Sequence, residues 1–508
     1  MANSLLVKTA MALLRLSTLT LGAAAVWLAG VAILGSGSAA ATDKVLVAYV
    51  LLGASTTNHP QAHARVIVKG SASTCPELLA GNDRLPMSFR DNPHGFPVKV
   101  CEAIIPFGKS FEISWNMRML PVATLDPMRI LLFGDTGCKA SDCSGENLAK
   151  PFEDLASKAS QISPLPQLVI HVGDYNYRGT PDYVDFAGQK RLVYDAGDHS
   201  LSPQCQLDAP YVSQNAGYSN MSDSWEKWRD DFFEPARELL ATIPFVFTRG
   251  NHELCSRAGP GWFYFLDASS DQGGETQLSC PPQGEHSPPI GNALNHLIFT
   301  PPHALNFGSL RLIVLDSASA CDKYAPSTLV EIYRDQLRSV LANLDEKPTW
   351  IVSHRPIWGV KALCAGASNC PATSEAETIN KTLQAALAET LKDMKGSPPG
   401  VRLFVSGHMH LFQSLTFLST KQNDLSIPQI IVGNGGVKTS SDLGEGPFSA
   451  SVNGDTAKGL TSTKHGFTTI NMLDPDGAWR GQIVTNDGEA LATCHWPIVE
   501  ESLCAAHH

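Results

Sequence analysis

The sequence predicts an α/β fold preceded by a small all-β region, and two observations carry that prediction. From about residue 128 onward, near-continuous apolar runs alternate with segments of helical period; before it, only short strand-like runs occur. The runs ILLF (130–133), LVIHV (168–172), FVF (245–247), LRLIVL (310–315), TWIVS (349–353), VRLFVS (401–406) and QIIV (429–432) suit strands buried on both faces. Between them, Trp225, Trp228, Phe232, Ala236 and Leu239 mark one helix face, and Pro235 is expected to kink that helix. Leu329, Ile332, Leu337, Val340 and Leu344 mark a second face, and Leu383, Leu387 and Leu391 a third. FTTINM (467–472) and WRGQIV (479–484), separated by a Pro-Asp-Gly turn, predict a hairpin. Upstream, short apolar or alternating runs at 45–52, 64–68, 98–101 and 111–115 are spaced by Gly, Pro, Asn and Asp, and no helical pattern intervenes. Asp126-Pro127 is the expected boundary, giving an N-terminal β domain at 42–125 and a second domain at 126–508. Two stretches rich in Gly, Pro, Ser and Asp, about 178–222 and 255–305, read as long loops.

Residues 1–41 have the form of a signal peptide: Lys8 and Arg15, an apolar run from Leu16 to Leu34, then small residues from Ser36 to Ala41. The run is longer than an ordinary signal core, so an uncleaved membrane anchor is the alternative; either places the body of the chain outside the cytosol, periplasmic or secreted. The 12 cysteines all follow this segment and are expected to form disulfides. Close spacing favours Cys138–Cys143 and Cys364–Cys370; Cys75–Cys101, Cys255–Cys280 and Cys494–Cys504 are further pairings. With 49 acidic against 38 basic residues, the net charge of −11 is the wrong sign for a protein that binds nucleic acid through phosphate neutralisation.

The chemistry lies just past the strands. ILLF is followed by Gly134-Asp135-Thr136-Gly137, and LVIHV by Gly173-Asp174-Tyr175-Asn176-Tyr177. FVF leads through Thr248-Arg249 to Gly250-Asn251-His252-Glu253; TWIVS ends at His354; VRLFVS ends at Gly407-His408-Met409-His410. In α/β sheets the ligand site lies beyond the carboxyl ends of the strands, so these clusters are expected to converge. Asp135, Asp174, Tyr177, Asn251, His354, His408 and His410 are oxygen and imidazole ligands suited to first-row metals, and too many for one ion. With one carboxylate shared, they give about four protein ligands to each of two ions, an arrangement that clamps both oxygens of an in-line displacement.

GDTG, GDYNY, GNHE, IVSH and GHMH resemble, in order and spacing, the five signature blocks of the calcineurin-like metallophosphoesterases, and more narrowly those of purple acid phosphatases. The resemblance implies a β-sandwich flanked by helices (αββα layers) and a metal-dependent acid phosphatase. It assigns Asp135, Tyr177 and His410 to Fe(III), Asn251, His354 and His408 to a divalent iron, zinc or manganese ion, and Asp174 to both. His252 would contact phosphate and protonate the leaving group. Gly137 stands where many relatives carry a histidine ligand, so the Tyr177 phenolate would replace that imidazole. Some purple acid phosphatases carry further phosphate-binding histidines soon after the fourth block; here none occurs before His408, and Arg355, Lys361 and Arg249 are the cations nearby in sequence.

The reading is an exported phosphohydrolase that cleaves small phosphomonoesters by in-line attack of a metal-bound hydroxide. A phosphodiesterase or nucleotide hydrolase on the same scaffold is the alternative, and a non-catalytic binding protein with structural metals a third. No nucleic-acid or protein partner is evident, and no membrane contact beyond residues 1–41. His171, inside a strand run, is expected to be a hydrogen-bonded core residue.

Overall fold

The computed structural model describes residues 44–54, 60–138, 149–178, 183–186, 189–192, 223–255, 257–268, 277–280, 298–360, 378–394, 398–418, 427–440, 445–452, 455–499 and 502–507. The signal segment, most of the two long loop stretches, Lys361 and the Cys364–Cys370 pair lie outside them, as does Cys143.

The apolar runs form strands where expected: Arg129–Phe133, Leu168–His171, Phe245–Phe247, Arg311–Leu315, Thr349–Ser353, Val401–Ser406 and Gln429–Val432. The first three are parallel neighbours at the centre of an 11-stranded sheet, and the other four are parallel neighbours within an 8-stranded sheet, counted among the described residues. Each strand feeds two cores, because successive side chains point to opposite faces. Ile130 and Leu132 meet Trp350 and Val352 in a core between the sheets. Leu131 and Phe133 turn outward against the helix Lys150–Ser160 and the aromatic helical segment from Trp225. Ile351 and Phe404 turn to the other side, against Ser327–Leu341 and Lys381–Met394. The layers are therefore αββα.

The helix from Trp225 breaks as Pro235 requires. A wide π turn, Arg229–Phe233, precedes the proline and a new helix starts at Arg237. Trp225, Trp228, Phe232, Ala236 and Leu239 are all buried, as the periodicity predicts. The C-terminal hairpin pairs Gly466–Met472 with Trp479–Thr485. Cys75–Cys101, Cys255–Cys280 and Cys494–Cys504 are disulfides, and Cys138 and Cys321 are disulfide-bonded too. Among the described residues, no helix is long and apolar enough to cross a membrane.

The region 42–125 is all-β, and its long strands join the main sheet and do not close into one of their own. Val45–Ala54 pairs in parallel with Phe245–Phe247, and Pro60–Lys69 and Val98–Ile105 continue the large sheet outward. Their inward side chains (Val50, Leu52, Ala62, Ala64) bury in the same inter-sheet core as Ile130 and Leu312, which a detached unit could not do. Glu77–Ala80, Asp83–Pro86 and Glu112–Ile113 form a small sheet of their own.

A buried ionic clamp reinforces that union. Arg65 donates to the carbonyls of Phe265 and Asp267 at 2.6 Å each, and Arg90 donates to those of Tyr264 and Phe263 at 3.2 and 3.0 Å. Glu102 pairs with both guanidinium groups. The N-terminal strands thus grip the segment that follows Asn251–Glu253. Burial would raise the Glu102 carboxyl, but Arg65 and Arg90 override it and hold Glu102 at about 2, below its ordinary 4.5. A depressed carboxyl stabilises the fold above its unfolded value and loses that contribution as pH falls through its folded value. Glu102→Gln, which leaves buried arginines without their counter-charge, is expected to lower the melting temperature near neutrality. The gap from the wild type should close as pH falls from about 4.5 towards 2. Thermal melts across that range check this; a gap that does not change with pH refutes it.

Candidate metal centre

Parallel strands deliver their C-terminal ends to one edge, and there the signature blocks meet. The turn after each strand is tight. Asp135, Asp174, His408 and His410 all take left-handed backbone conformations, with φ of 55°, 60°, 75° and 48°. Such φ values cost a non-glycine residue roughly 1–3 kcal/mol and persist where the surroundings impose them. The glycines of the blocks make room. A Cβ on Gly250 would lie 2.2 Å from Asp174 Oδ1, and one on Gly407 would lie 2.4 Å from Asp135 Oδ2.

All seven expected ligand side chains come together. Asp135, Asp174 and His410 form one group able to hold a cation, and Asp174, His354 and His408 form another, so Asp174 belongs to both. The Tyr177 hydroxyl points into the first group, 3.0 Å from Asp135 Oδ1, 3.1 Å from Asp174 Oδ2 and 3.0 Å from His410 Nε2. In the second, His354 Nε2 lies 3.3 Å from Asp174 Oδ2. The Asn251 carboxamide presents one terminal atom 2.9 Å from both His354 Nε2 and His408 Nδ1. Turned over, that amide would donate N–H to both imidazoles; with oxygen inward it adds a lone pair to theirs, the orientation a cation selects.

The donor chemistry fits metal ions. Two carboxylates, an imidazole nitrogen and a phenol oxygen face one another around the first group, where one phenolic proton cannot satisfy every lone pair. Burial pushes the Asp135 carboxyl up to about 7, against the pull of His354 and with the push of Asp174. Burial, Asp135 and Asp174 together raise the Tyr177 phenol far above its ordinary range, so only a cation lodged there would make it a phenolate. The outer ring nitrogens of His354 and His408 are held from outside. His354 Nδ1 lies 2.9 Å from the Val172 carbonyl, and His408 Nε2 lies 2.8 Å from Asp322 Oδ2, which leaves Nε2 and Nδ1 respectively for the interior.

His252 stands at the same place. Its backbone N–H donates to Asp174 Oδ1 at 2.9 Å, and its ring centre lies 3.9 Å from that of Tyr177. His171 is a core residue as expected: it is buried, Nε2 is 2.9 Å from Thr136 Oγ1, and the ring stacks on Tyr175.

The structure adds residues the motifs left without a role. Glu253 is buried and accepts N–H bonds from Asp174 (3.0 Å), Gly250 (3.1 Å), Tyr175 (2.9 Å) and Asn176 (3.2 Å), tying two ligand-bearing turns together. Asp231, in the π turn, accepts from the backbone of Tyr177 at 2.9 Å and of Arg178 at 3.2 Å, and so seats the phenol. The sequence signal for Glu253 was its place inside GNHE; for Asp231 it was only an acid within an aromatic run. Of the cations considered for phosphate, Arg249 is buried against Asp316 at 3.2 Å and Arg355 against Asp322 at 2.7 Å, both in structural pairings.

A family model of the calcineurin-like phosphoesterases matches residues 128–412, which span all five signature blocks and stop short of the C-terminal hairpin. The chain belongs to the calcineurin-like phosphoesterase family. This metallophosphoesterase is a metal-dependent phosphatase, and its αββα sandwich is the frame that brings the candidate ligands together. Among solved structures it is similar to a purple acid phosphatase isolated from yellow lupin (Lupinus luteus) seeds. The two are 12% identical with a TM-score of 0.50, over 89% of this chain and 74% of that one, a likeness of fold. No curated protein matches the sequence.

Proposed function

We propose that this phosphoesterase is an exported phosphomonoesterase of the purple type, with Fe(III) held by Asp135, Tyr177 and His410, a divalent ion held by Asn251, His354 and His408, and Asp174 between them. The observation that carries the reading is the sharing of Asp174 by two ligand groups, one of which contains a buried phenol. Bound there, the ions would supply Lewis acidity, activating water and neutralising charge on phosphoryl oxygens. The chain's own residues do the rest. Asp174 spaces the two groups and, through the His252 backbone, fixes where that imidazole begins. His252 delivers a proton to the departing oxygen. Glu253 and Asp231 keep the turns rigid, so the site needs little reorganisation as charge develops. The disulfides support export, since such bonds persist in oxidising compartments.

The test pairs colour with substrate preference. The purified protein is expected to be violet or pink, and Tyr177→Phe to bleach it while leaving the divalent ion in place. The wild type should hydrolyse p-nitrophenyl phosphate well and bis(p-nitrophenyl) phosphate poorly. Colour that survives Tyr177→Phe would overturn the phenolate assignment, and a preference for the diester would overturn the substrate class.

A further inference from the structure

We propose that Asp322 and Arg355 form a positioning pair that locks His408 in the tautomer with Nδ1 free for the divalent ion. This rests on the two-ion reading above and names what sets one of its ligands. His408 differs from His354 in which nitrogen faces inward. His354 turns Nδ1 towards a backbone carbonyl, which can only accept, so its Nε2 is left for the site by the main chain alone. His408 turns Nδ1 inward, 2.9 Å from the Asn251 carboxamide, and needs an acceptor at Nε2.

Two groups lie at that nitrogen: Asp322 Oδ2 at 2.8 Å and Arg355 Nη1 at 2.9 Å. They ask for opposite tautomers. A guanidinium only donates, and taken alone it would place the imidazole proton on Nδ1, where it blocks ligation. The conflict is resolved by the other carboxylate oxygen. Asp322 Oδ1 takes Arg355 Nη1 at 2.7 Å and the Asn380 amide at 2.9 Å, so Oδ2 is left to accept from His408. Asn380 also caps the helix Lys381–Met394 by accepting from Leu383 N at 2.9 Å, and Lys381 N donates to the Asp322 carbonyl at 2.9 Å. The carboxylate is thereby anchored to a helix start as well as to the arginine. Asp322 and Arg355 are buried and meet His408 at Nε2, the nitrogen turned away from the ligand group, so the pair acts through His408. A carboxylate on the outer nitrogen also raises the donor strength of the inner one.

Asp322→Asn keeps the shape and breaks the logic. Its single carbonyl oxygen goes to Arg355, its NH₂ faces His408 Nε2, and the imidazole proton moves to Nδ1. Zinc titration of the metal-depleted protein is expected to show two sites in the wild type. In Asp322→Asn the second should weaken by about 10- to 100-fold, the usual effect of losing such a partner. The ferric–tyrosinate absorption of the iron-loaded variant should stay unchanged. Wild-type affinity at both sites of the variant overturns the proposal. If the variant does not fold, nitrogen NMR of the wild-type dizinc protein decides instead: a proton on His408 Nε2 supports it, and one on Nδ1 overturns it. A wild type that takes up fewer than two zinc ions overturns the two-ion reading, and the inference with it.

Discussion

Asp174→Ala is expected to cost the protein both metal ions and to lower turnover by about 10⁴-fold or more, the scale for a member of a catalytic unit. The expectation follows from topology and not from charge alone. Each of the two ligand groups includes Asp174, whereas Asp135 and His410 serve one and His354 and His408 the other. Removing any of those four leaves one group whole; removing Asp174 leaves none. It also deletes the acceptor for the His252 backbone and the carboxylate beside His354 and Tyr177. In the metal-free protein that carboxylate, against the effect of burial, holds His354 up at about 9, so the imidazole changes character as well. Elemental analysis together with steady-state kinetics checks the outcome. A variant that keeps one tightly bound ion would show that the two groups do not depend on a common ligand.

His252→Ala should separate chemistry from metal binding. His252 is not in either ligand group, and its contact with Asp174 is through backbone, which alanine retains. Metal content and colour should therefore match the wild type. Turnover should fall by about 10²-fold or more on an alkyl phosphomonoester, the usual size of a general-acid contribution. The deficit should shrink on p-nitrophenyl phosphate, whose leaving group departs without a proton. Equal losses on both substrates would mean that His252 binds phosphate but does not protonate; no loss on either would remove it from the mechanism.

Much of this was readable in the sequence because the physics was local. A strand buried on both faces is apolar along most of its length, and the runs at 130–133, 349–353 and 401–406 appear as strands within a residue of those limits. The ligand blocks were readable because four of the five combine a glycine that permits a tight turn with a side chain of ligand type, and the fifth, IVSH, ends a buried strand on a histidine. What stayed hidden was long-range. Nothing near Leu51 encodes its pairing with Phe245, so strands that extend the main sheet looked like a domain apart. Asp322 sits in a loop with no motif, and its meaning comes only from Arg355, Asn380 and His408 folding onto it. Cysteine spacing likewise ranked Cys75–Cys101, Cys255–Cys280 and Cys494–Cys504 below the closer pairs, since it cannot see that sheet register brings Cys494 opposite Cys504 or that the fold brings Cys75 against the strand Val98–Ile105.

The most direct test of the account is a crystal structure of the metal-loaded enzyme with anomalous scattering collected at the iron and zinc edges. Two neighbouring peaks on either side of the Asp174 carboxylate, the iron next to Tyr177, are the predicted result. A single peak, or two that do not share Asp174, would contradict it.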